Sequence, residues 1–426
     1  MTRQPDMRGR TIRPHAELNL SAQYGAVRAQ SLKLCEPLET EDYGVQPMAD
    51  ASPPKWHLAH TTWFFETFVL KQAQDNYQPF NRHFEHLFNS YYNGVGTPYP
   101  RHQRGFLSRP TVAEIVDYRE RVDEGIQRLL GSCDDGQLVE RIAMGLQHEQ
   151  QHQELLLTDI KYNFGHNPLY PEYGGYVTAH PHVPTRTNFA EYAGGLVEVG
   201  ADKGFCFDNE QPQHDVLLYP FKLADRLVTN AEYAAFIADG GYQTPQWWLS
   251  EGWSVVQQQA WKAPLYWSFM DGQWMEYRLD GLYPIVESLP VVHVSGHEAF
   301  AFAAWSNARL PTEFEWEHVA ASRAIDGTFV ESTAFHPQAL SRQTPDIQQL
   351  FGDVWQWTSS SYGPYPGYQP LPGTLGEYNG KFMSSQLVLR GGSCATPQAH
   401  VRASYRNFFY PPDRWQFSGI RLAKDA

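Results

Sequence analysis

The sequence has little cysteine for its length. Its 426 residues include four cysteines, Cys35, Cys133, Cys206 and Cys394, which lie far apart and form no Cys-x-x-Cys pair. This spacing argues against a paired-thiolate metal site and against a disulfide framework. It favours a reducing, cytoplasmic compartment.

The chain also lacks basic excess and long apolar runs. It has 33 Lys and Arg residues against 47 Asp and Glu, which gives a formal net charge of −14. A nucleic-acid or anionic-membrane partner is therefore not expected, and a small solute is the better prediction. No apolar run reaches the roughly 18 residues of a membrane span. Arg3, Arg8 and Arg10 are not followed by the apolar stretch of a signal peptide.

Helical patterns dominate the N-terminal part of the chain. Four amphipathic stretches predict long helices, over residues 16–36, 55–74, 111–130 and 136–164. Ser52 before two prolines predicts the cap of the second helix, and Thr111 with Glu114 predicts a capping box for the third. Four long helices joined by linkers are typical of a bundle, in which metal sites are built from facing helices.

The composition changes after Pro168. Residues 165–190 are rich in Pro, Gly, Tyr and His, which is typical of a linker, and short alternating strands follow from residue 194. Two predicted helices interrupt the strands, at residues 230–238 and 296–308, and a further turn is predicted at residues 311–321. We therefore predict an α+β protein of two domains, residues 14–180 and 181–426.

A histidine pair in the fourth helix predicts a metal site. His148 and His152 are four residues apart, so their imidazoles lie on one helical face and can bind one ion. The second helix offers His57 and His60 on a face that continues to Trp63 and Glu66, and either histidine could be the third ligand. Three neutral imidazoles leave coordination positions open for substrate and dioxygen, as in non-haem iron sites.

The same segment has other interpretations. His148–His152 matches His-Glu-x-x-His, the zinc-protease signature, in which Glu149 is the general base. No third ligand follows at a protease-like spacing. A histidine pair beside Glu and Gln is also compatible with a solvated polar helix face.

Longer stretches resemble known families. Residues 55–63 and 148–155 resemble the metal-binding helices of DinB-like four-helix bundles. Six later stretches resemble the formylglycine-generating (sulfatase-modifying) enzymes: residues 228–236, 290–295, 303–317, 352–359, 389–394 and 417–423. Together, in this order, they resemble the ergothioneine-biosynthesis sulfoxide synthases.

The resemblance implies a fold and an activity. The fold is a DinB-like bundle followed by a formylglycine-generating-enzyme-like, C-type-lectin-related α+β domain. The activity is that of an Fe(II) enzyme that uses O2 to join the sulfur of cysteine to imidazole C2 of hercynine (Nα-trimethylhistidine) and to oxidise that sulfur to a sulfoxide. By the same resemblance the iron ligands are His60, His148 and His152, and His57 is structural or lies outside the ligand shell.

The resemblance also assigns substrate contacts. Gln151 and Asn407 are expected to contact hercynine, and Phe408 is expected to offer its ring face to the trimethylammonium group. The better-known branch has Trp-Asp after the Asn, whereas this chain has Phe408 and Phe409. Because the Asp is missing, we expect free cysteine rather than γ-glutamylcysteine as the donor.

Charged and phenolic groups complete the expected site. Arg101 and Arg104 are candidates to bind the cysteine carboxylate, with a structural loop arginine as the alternative. Tyr91 and Tyr92 are candidates for the acid that works near the oxygen. Tyr378 is the nearest counterpart of the tyrosine used by the other branch.

Two further functions are left open by the sequence. One is a DinB-like zinc hydrolase or thiol transferase with Glu149 as base, and the other is a non-catalytic ligand scaffold built on the second domain. Formylglycine generation is disfavoured, because Cys206 and Cys394 are isolated where those enzymes use paired cysteines.

Overall fold

The computed structural model describes residues 15–132, 135–177, 186–340, 344 and 346–426. They pack as two compact units. The first comprises residues up to Tyr91 together with Gly96–Gln153, and the second comprises Tyr92–Val95 together with Glu154–Ala426. The predicted boundary between residues 180 and 181 lies outside the described residues.

The first unit is helical, as predicted. Its elements are α1 (His15–Lys33), α2 (Pro54–Phe65), a π turn (Glu66–Leu70), α3 (Lys71–Ala73), α4 (Phe84–Phe88), a 3-10 helix (Arg101–Phe106), α5 (Val112–Leu130) and α6 (Gly136–Gly165). The last of these continues into the second unit. Among the described residues, none of the helices is long and apolar enough to cross a membrane.

The predicted helix starts have two outcomes. Thr111 and Glu114 form the expected capping box at the start of α5. The prediction for Ser52 is wrong, because Pro53 is the N-cap of α2 and its side chain makes no cap bond. The Ser52 hydroxyl instead accepts a hydrogen bond from Arg104 Nη1 at 2.8 Å.

Helix α2 is the central element of the first unit, with all twelve of its residues buried. It packs against α5. The π turn that follows places the buried Glu66 carboxylate among three donors, which are the Tyr118 hydroxyl (2.7 Å), the Tyr77 hydroxyl (3.0 Å) and the Phe80 amide (2.9 Å). These bonds hold the end of the helix, and π turns of this kind are frequent at functional sites.

Within its described residues, the second unit combines four small sheets with four further α-helices. The helices are α7 (Asn230–Ala238), α8 (Ser250–Gln259), α9 (Gly296–Trp305) and α10 (Glu313–Ala320). The strands are β1 (Phe189–Tyr192), β2 (Gly195–Val199), β3 (His214–Leu218), β4 (Phe221–Ala224), β5 (Trp267–Met270), β6 (Gln273–Arg278), β7 (Gly281–Pro284), β8 (Trp355–Ser361), β9 (Leu387–Arg390), β10 (Asn407–Phe409), β11 (Ser418–Gly419) and β12 (Ala423–Asp425). They form sheets in the orders β1-β4-β12, β2-β3, β5-β6-β7 and β10-β9-β8-β11.

One sheet pairing bears on the predicted substrate segment. In the four-stranded sheet, β10 lies antiparallel to β9 with Asn407 opposite Leu389 and Phe408 opposite Val388. The strand pairing therefore fixes the backbone of the segment that carries Asn407 and Phe408.

A short excursion of the chain belongs to the second unit. The amides of Asn93 and Gly94 donate to the Glu377 carboxylate at 3.0 and 2.8 Å. A Cβ at Gly94 would lie 2.7 Å from Thr374 Oγ1, so a larger side chain there would displace the Thr374 side chain. Residues 92–95 thus pack with chain that lies almost 300 positions further on.

Candidate metal centre

Three histidines converge in the first unit. His60 comes from α2, and His148 and His152 come from successive turns of α6. Each offers one ring nitrogen, and these three atoms lie within 4.8 Å of one another. Nε2 of His60 is 3.2 Å from Nε2 of His148. Two nitrogens that each lie about 2.1 Å from one ion are about 3.0–3.4 Å apart, so His60 and His148 are spaced as two ligands of one metal ion, and His152 lies close enough to be the third candidate.

The three imidazoles are held neutral. Burial lowers the pKa of His148 to about 3. Burial also lowers the pKa of His60 and of His152 well below the usual value, and the neighbouring His148 adds to both effects. A metal ligand must be deprotonated, so the site does not have to displace protons near neutral pH.

Backbone and ring contacts orient the ligands. Nδ1 of His60 lies 2.6 Å from the Phe88 carbonyl, which can only accept, so Nδ1 carries the proton and Nε2 is left for the ion. Nδ1 of His152 lies 2.9 Å from Nδ1 of His57. His57 therefore contacts the candidate ligand His152 without being one of the three clustered histidines. Partners of this kind fix the tautomer and the ring orientation of a ligating histidine.

The three histidines differ in exposure. His60 and His148 are 0% and 2% exposed, whereas His152 is only partly buried. The donor set consists of three nitrogens. Catalytic metal sites commonly have three protein ligands, whereas closed structural sites have four.

Glu149 is engaged elsewhere. Its carboxylate accepts from Arg28 Nη1 (2.7 Å), Arg119 Nη2 (2.9 Å) and the Ser31 hydroxyl (2.6 Å). Despite complete burial, the two guanidinium groups lower the pKa of Glu149 to about 2. A carboxylate with so low a pKa is a poor general base. Glu149 is therefore unsuited to the role that the zinc-protease interpretation gives it.

The two candidate arginines differ in their surroundings. Arg101 is exposed, and its Nη2 donates to the Asp50 carbonyl at 2.5 Å. Arg104 is 4% exposed, and its guanidinium lies 3.4 Å from the centroid of the Trp56 ring. The charge of Arg104 contributes to the lowered pKa of both His60 and His152. Of the two, Arg104 is the arginine brought near the histidines.

The candidate tyrosines fall in different environments. Tyr91 is half-buried at the edge of the first unit. Tyr92 is 0% exposed and Tyr378 is 4% exposed; both belong to the second unit. The Tyr378 ring stacks on Phe207, with centroids 5.3 Å apart. The choice among the three tyrosines stays a prediction.

The expected hercynine contacts are also half-buried. Gln151 lies on α6 directly before His152, and Asn407 and Phe408 lie on β10 of the second unit. One face of Phe408 is covered by Tyr362, with centroids 4.0 Å apart and planes 11° from parallel. The Asn407 side chain accepts from the Phe408 amide at 2.9 Å. Their roles toward a substrate stay predictions.

Sequence reasoning missed the residues that surround the ligands. Arg28 and Arg119 reach Glu149 from α1 and α5, and no local pattern marks them as its partners. Trp56 was also missed; its ring and that of Trp63, which the sequence places on the His60 face, are nearly parallel to the His60 ring. The four-residue spacing of Trp56 from His60 was a usable signal, because it places both rings on one face of α2.

Two family profiles match the chain. The Sulfatase-modifying factor enzyme 1-like domain matches residues 182–344 and 333–426, and the DinB superfamily matches residues 23–156. Together they confirm the predicted α+β architecture of a DinB-like bundle followed by a formylglycine-generating-enzyme-like domain.

Curated relatives match this chain over different shares of their length. A hercynine oxygenase of Mycolicibacterium thermoresistibile is 32% identical over 88% of this chain and 88% of its own. Another, of Mycolicibacterium smegmatis, is 35% identical over 67% of this chain and 72% of its own. The ergothioneine biosynthesis protein 1 of Schizosaccharomyces pombe is 29% identical over 52% of this chain and 28% of its own. With its three-histidine centre and this two-part architecture, the chain belongs to the hercynine oxygenase family.

Proposed function

We propose that this chain is an Fe(II)- and O2-dependent sulfoxide synthase of ergothioneine biosynthesis. It joins the sulfur of cysteine to imidazole C2 of hercynine and oxidises that sulfur. The observation that carries the proposal is the cluster of three neutral imidazoles, two buried and one partly buried, whose ring nitrogens lie within 4.8 Å of one another. Family membership supplies the substrate class.

The proposed reaction balances without a further reductant. Forming the C–S bond removes the hydrogens of the C2–H and S–H groups and releases two electrons. Oxidising the sulfide to the sulfoxide releases two more. One O2 takes up the four electrons, and one oxygen atom enters the sulfoxide while the other leaves as water.

The residues present fit the proposed ion. His60, His148 and His152 would hold iron, which supplies one-electron chemistry with O2 and binding positions for imidazole and thiolate. The Phe88 carbonyl keeps the proton of His60 on Nδ1, so that Nε2 remains the donor. The Glu149 carboxylate is paired with Arg28 and Arg119 and is therefore not expected to be a ligand of the ion.

The sulfur donor is proposed to be free cysteine. The supporting features are Phe409, which stands where the better-known branch has Asp, and the buried cation of Arg104 near the histidines. Arg104 is the better candidate for the cysteine carboxylate, because a desolvated guanidinium binds a carboxylate more strongly than an exposed one such as Arg101. The test compares kcat/KM for cysteine and γ-glutamylcysteine, and a preference for the dipeptide refutes this part.

A tyrosine is proposed as the acid. Tyr91 and Tyr92 are preferred, and Tyr378 is the alternative. General acid catalysis contributes about 10²–10⁴-fold, so the responsible Tyr→Phe variant should lose at least 100-fold in product formation while retaining iron. Wild-type turnover by both Tyr91→Phe and Tyr92→Phe would move the role to Tyr378.

The main experiment is anaerobic loading with Fe(II), followed by hercynine, cysteine and ¹⁸O2. We expect a coupled product that carries one ¹⁸O atom, detected by mass spectrometry. His152→Ala should abolish both iron retention and product. The matched control is His166→Ala, which removes an exposed histidine at the end of the same helix.

Two outcomes would reject the proposal. Product formed under strict exclusion of oxygen would show that O2 is not a substrate. Activity that depends on zinc rather than iron would favour the hydrolase or thiol-transferase alternative.

A further inference from the structure

One of the three histidines, His60, forms a layered stack with three other buried groups. The Arg104 guanidinium carbon lies 3.4 Å from the Trp56 ring centroid. The Trp56 and His60 centroids are 4.6 Å apart with planes 12° from parallel, and the His60 and Trp63 centroids are 5.4 Å apart with planes 17° from parallel. We call these four groups the ring stack. All of them are at least 96% buried.

The last two carbonyls of α4 hold two of these rings. The Trp56 indole Nε1 donates to the Leu87 carbonyl at 3.2 Å, and His60 Nδ1 donates to the Phe88 carbonyl at 2.6 Å. Carbonyls at a helix C-terminus have no partner within their own helix. The two side chains satisfy them and are fixed in turn, so rotation of either ring would break a buried hydrogen bond.

The other two histidines have contacts of a different geometry. His148 meets the Phe64 ring at 39° with centroids 4.7 Å apart, and His152 meets the Trp56 ring at 51° with centroids 6.1 Å apart. His152 is also partly exposed. The two nearly parallel indole rings restrict the rotation of the His60 imidazole about its Cβ–Cγ bond. His60 is therefore the ligand whose direction the stack determines.

The stack also places a positive charge one ring away from a ligand. The cation lies over the Trp56 ring, which is itself stacked on His60, and buried charges act over such distances with little screening. A nearby positive charge favours the less positive state of a metal centre, which for iron is Fe(II).

We propose that Trp56 is a positioning residue with two effects on the metal centre: it fixes the direction of His60, and it seats the charge of Arg104 one ring from that ligand so that the ferrous state is favoured. This inference deepens the proposed function and rests on it only for the identity of the metal.

The test separates the geometric effect from the electrostatic one. Co(II) serves as an oxygen-stable probe, and its visible spectrum reports both affinity and coordination. Trp56→Leu should weaken Co(II) binding by about 10- to 100-fold, as loss of a ligand-orienting group does elsewhere, and should alter the Co(II) spectrum. Trp56→Phe keeps a ring over His60 and should recover most of the affinity. Trp253→Leu, in α8 of the second unit, is the matched control and should bind Co(II) as the wild type does.

The electrostatic effect is measured on iron. Arg104→Gln should lower the Fe(III)/Fe(II) midpoint potential, measured anaerobically by spectroelectrochemistry. It should not weaken Co(II) binding, because removing a cation does not disfavour another cation nearby.

Three results would overturn the inference. Wild-type Co(II) affinity in Trp56→Leu would remove the positioning role, and equal losses in Trp56→Phe and Trp56→Leu would show that the stacked ring is not what matters. An unchanged midpoint potential in Arg104→Gln would reject the proposed effect of the Arg104 charge on the iron. Thermal melting of the metal-free variants checks folding. If Trp56→Leu is unfolded, the Co(II) affinity and spectrum of Trp56→Phe test the positioning role instead. Absence of sulfoxide product from the wild type would reject the proposed function alone, since the Co(II) comparison does not depend on it.

Discussion

Two buried glutamates five residues apart on α6 have opposite environments. In the first unit, Glu149 binds two guanidinium groups and one hydroxyl. In the second unit, Glu154 binds three neutral donors, which are the Trp355 indole (2.6 Å) and the hydroxyls of Ser393 (2.7 Å) and Thr396 (2.7 Å). The first carboxyl has a pKa lowered to about 2, whereas burial raises the pKa of the second.

The difference shows that burial alone does not determine what a carboxyl group does. Desolvation raises the pKa of both groups, and only the cations at Glu149 reverse that effect. Glu149 is a fixed negative charge that joins α1, α5 and α6. Glu154 is a hydrogen-bonding hub that prefers its neutral form more strongly than a glutamate in water does.

The largest expected effect follows from removing one of the cations. Arg119→Met leaves Glu149 with Arg28 alone, and breaking a buried ion pair in this way costs about 3–5 kcal/mol. Urea denaturation with a helical signal measures the loss. The double variant Arg119→Met with Glu149→Gln should recover part of it, and no recovery would contradict the assignment of the loss to an uncompensated charge.

The next effect comes from neutralising the first carboxylate. Glu149→Gln should lower stability by about 3 kcal/mol at pH 7, since the pKa falls from 4.5 to about 2 on folding. A depressed pKa stabilises the folded state above pH 4.5, and this contribution is lost as the pH falls toward 2. The difference in the free energy of unfolding between wild type and Glu149→Gln should therefore disappear as the pH falls from 4.5 toward 2. The variant should keep its Co(II) affinity, whereas a role for Glu149 at the metal would change it.

A smaller effect with the opposite pH dependence is expected at Glu154. Glu154→Gln disturbs one or two of three hydrogen bonds, which costs about 1–3 kcal/mol. A raised folded pKa means that the wild-type carboxyl stabilises most below pH 4.5, and that this contribution declines as the pH rises through the folded pKa. The difference in the free energy of unfolding between wild type and Glu154→Gln should therefore decrease with rising pH. A difference that increases instead would show that the folded protein holds Glu154 as a charged carboxylate.

The smallest effects compare two serines. Ser31→Ala removes a hydroxyl from Glu149, which keeps its two arginines, and should cost about 1 kcal/mol. Ser393→Ala removes one of the three side-chain donors that Glu154 has among the described residues, and should cost more. Thermal melts of the two variants at pH 7 test the order, and a reversed order would contradict the distinction between charged and neutral partners.

The sequence predicted those features that depend on local spacing. The four long helices, the Thr111 capping box and the facing pair His148 and His152 follow from helical periodicity. Periodicity left His57 and His60 as alternatives for the third ligand, and the choice of His60 came from the resemblance to the family. The role of Glu149 could not be predicted, because His-Glu-x-x-His looks the same whether the Glu faces water or two arginines, and those arginines come from α1 and α5. The Ser52 cap failed for a similar reason, since Arg104, 52 positions away, uses that hydroxyl.

The bonds from Asn93 and Gly94 to Glu377 have a consequence for synthesis. At about 5–20 residues per second, a ribosome needs roughly 15–60 seconds to extend the chain from residue 93 to residue 377. The helices of the first unit emerge before that interval ends, when Glu377, the partner of Asn93 and Gly94, has not yet been synthesised. This four-residue stretch is therefore expected to be among the last of the N-terminal residues to become ordered on the nascent chain.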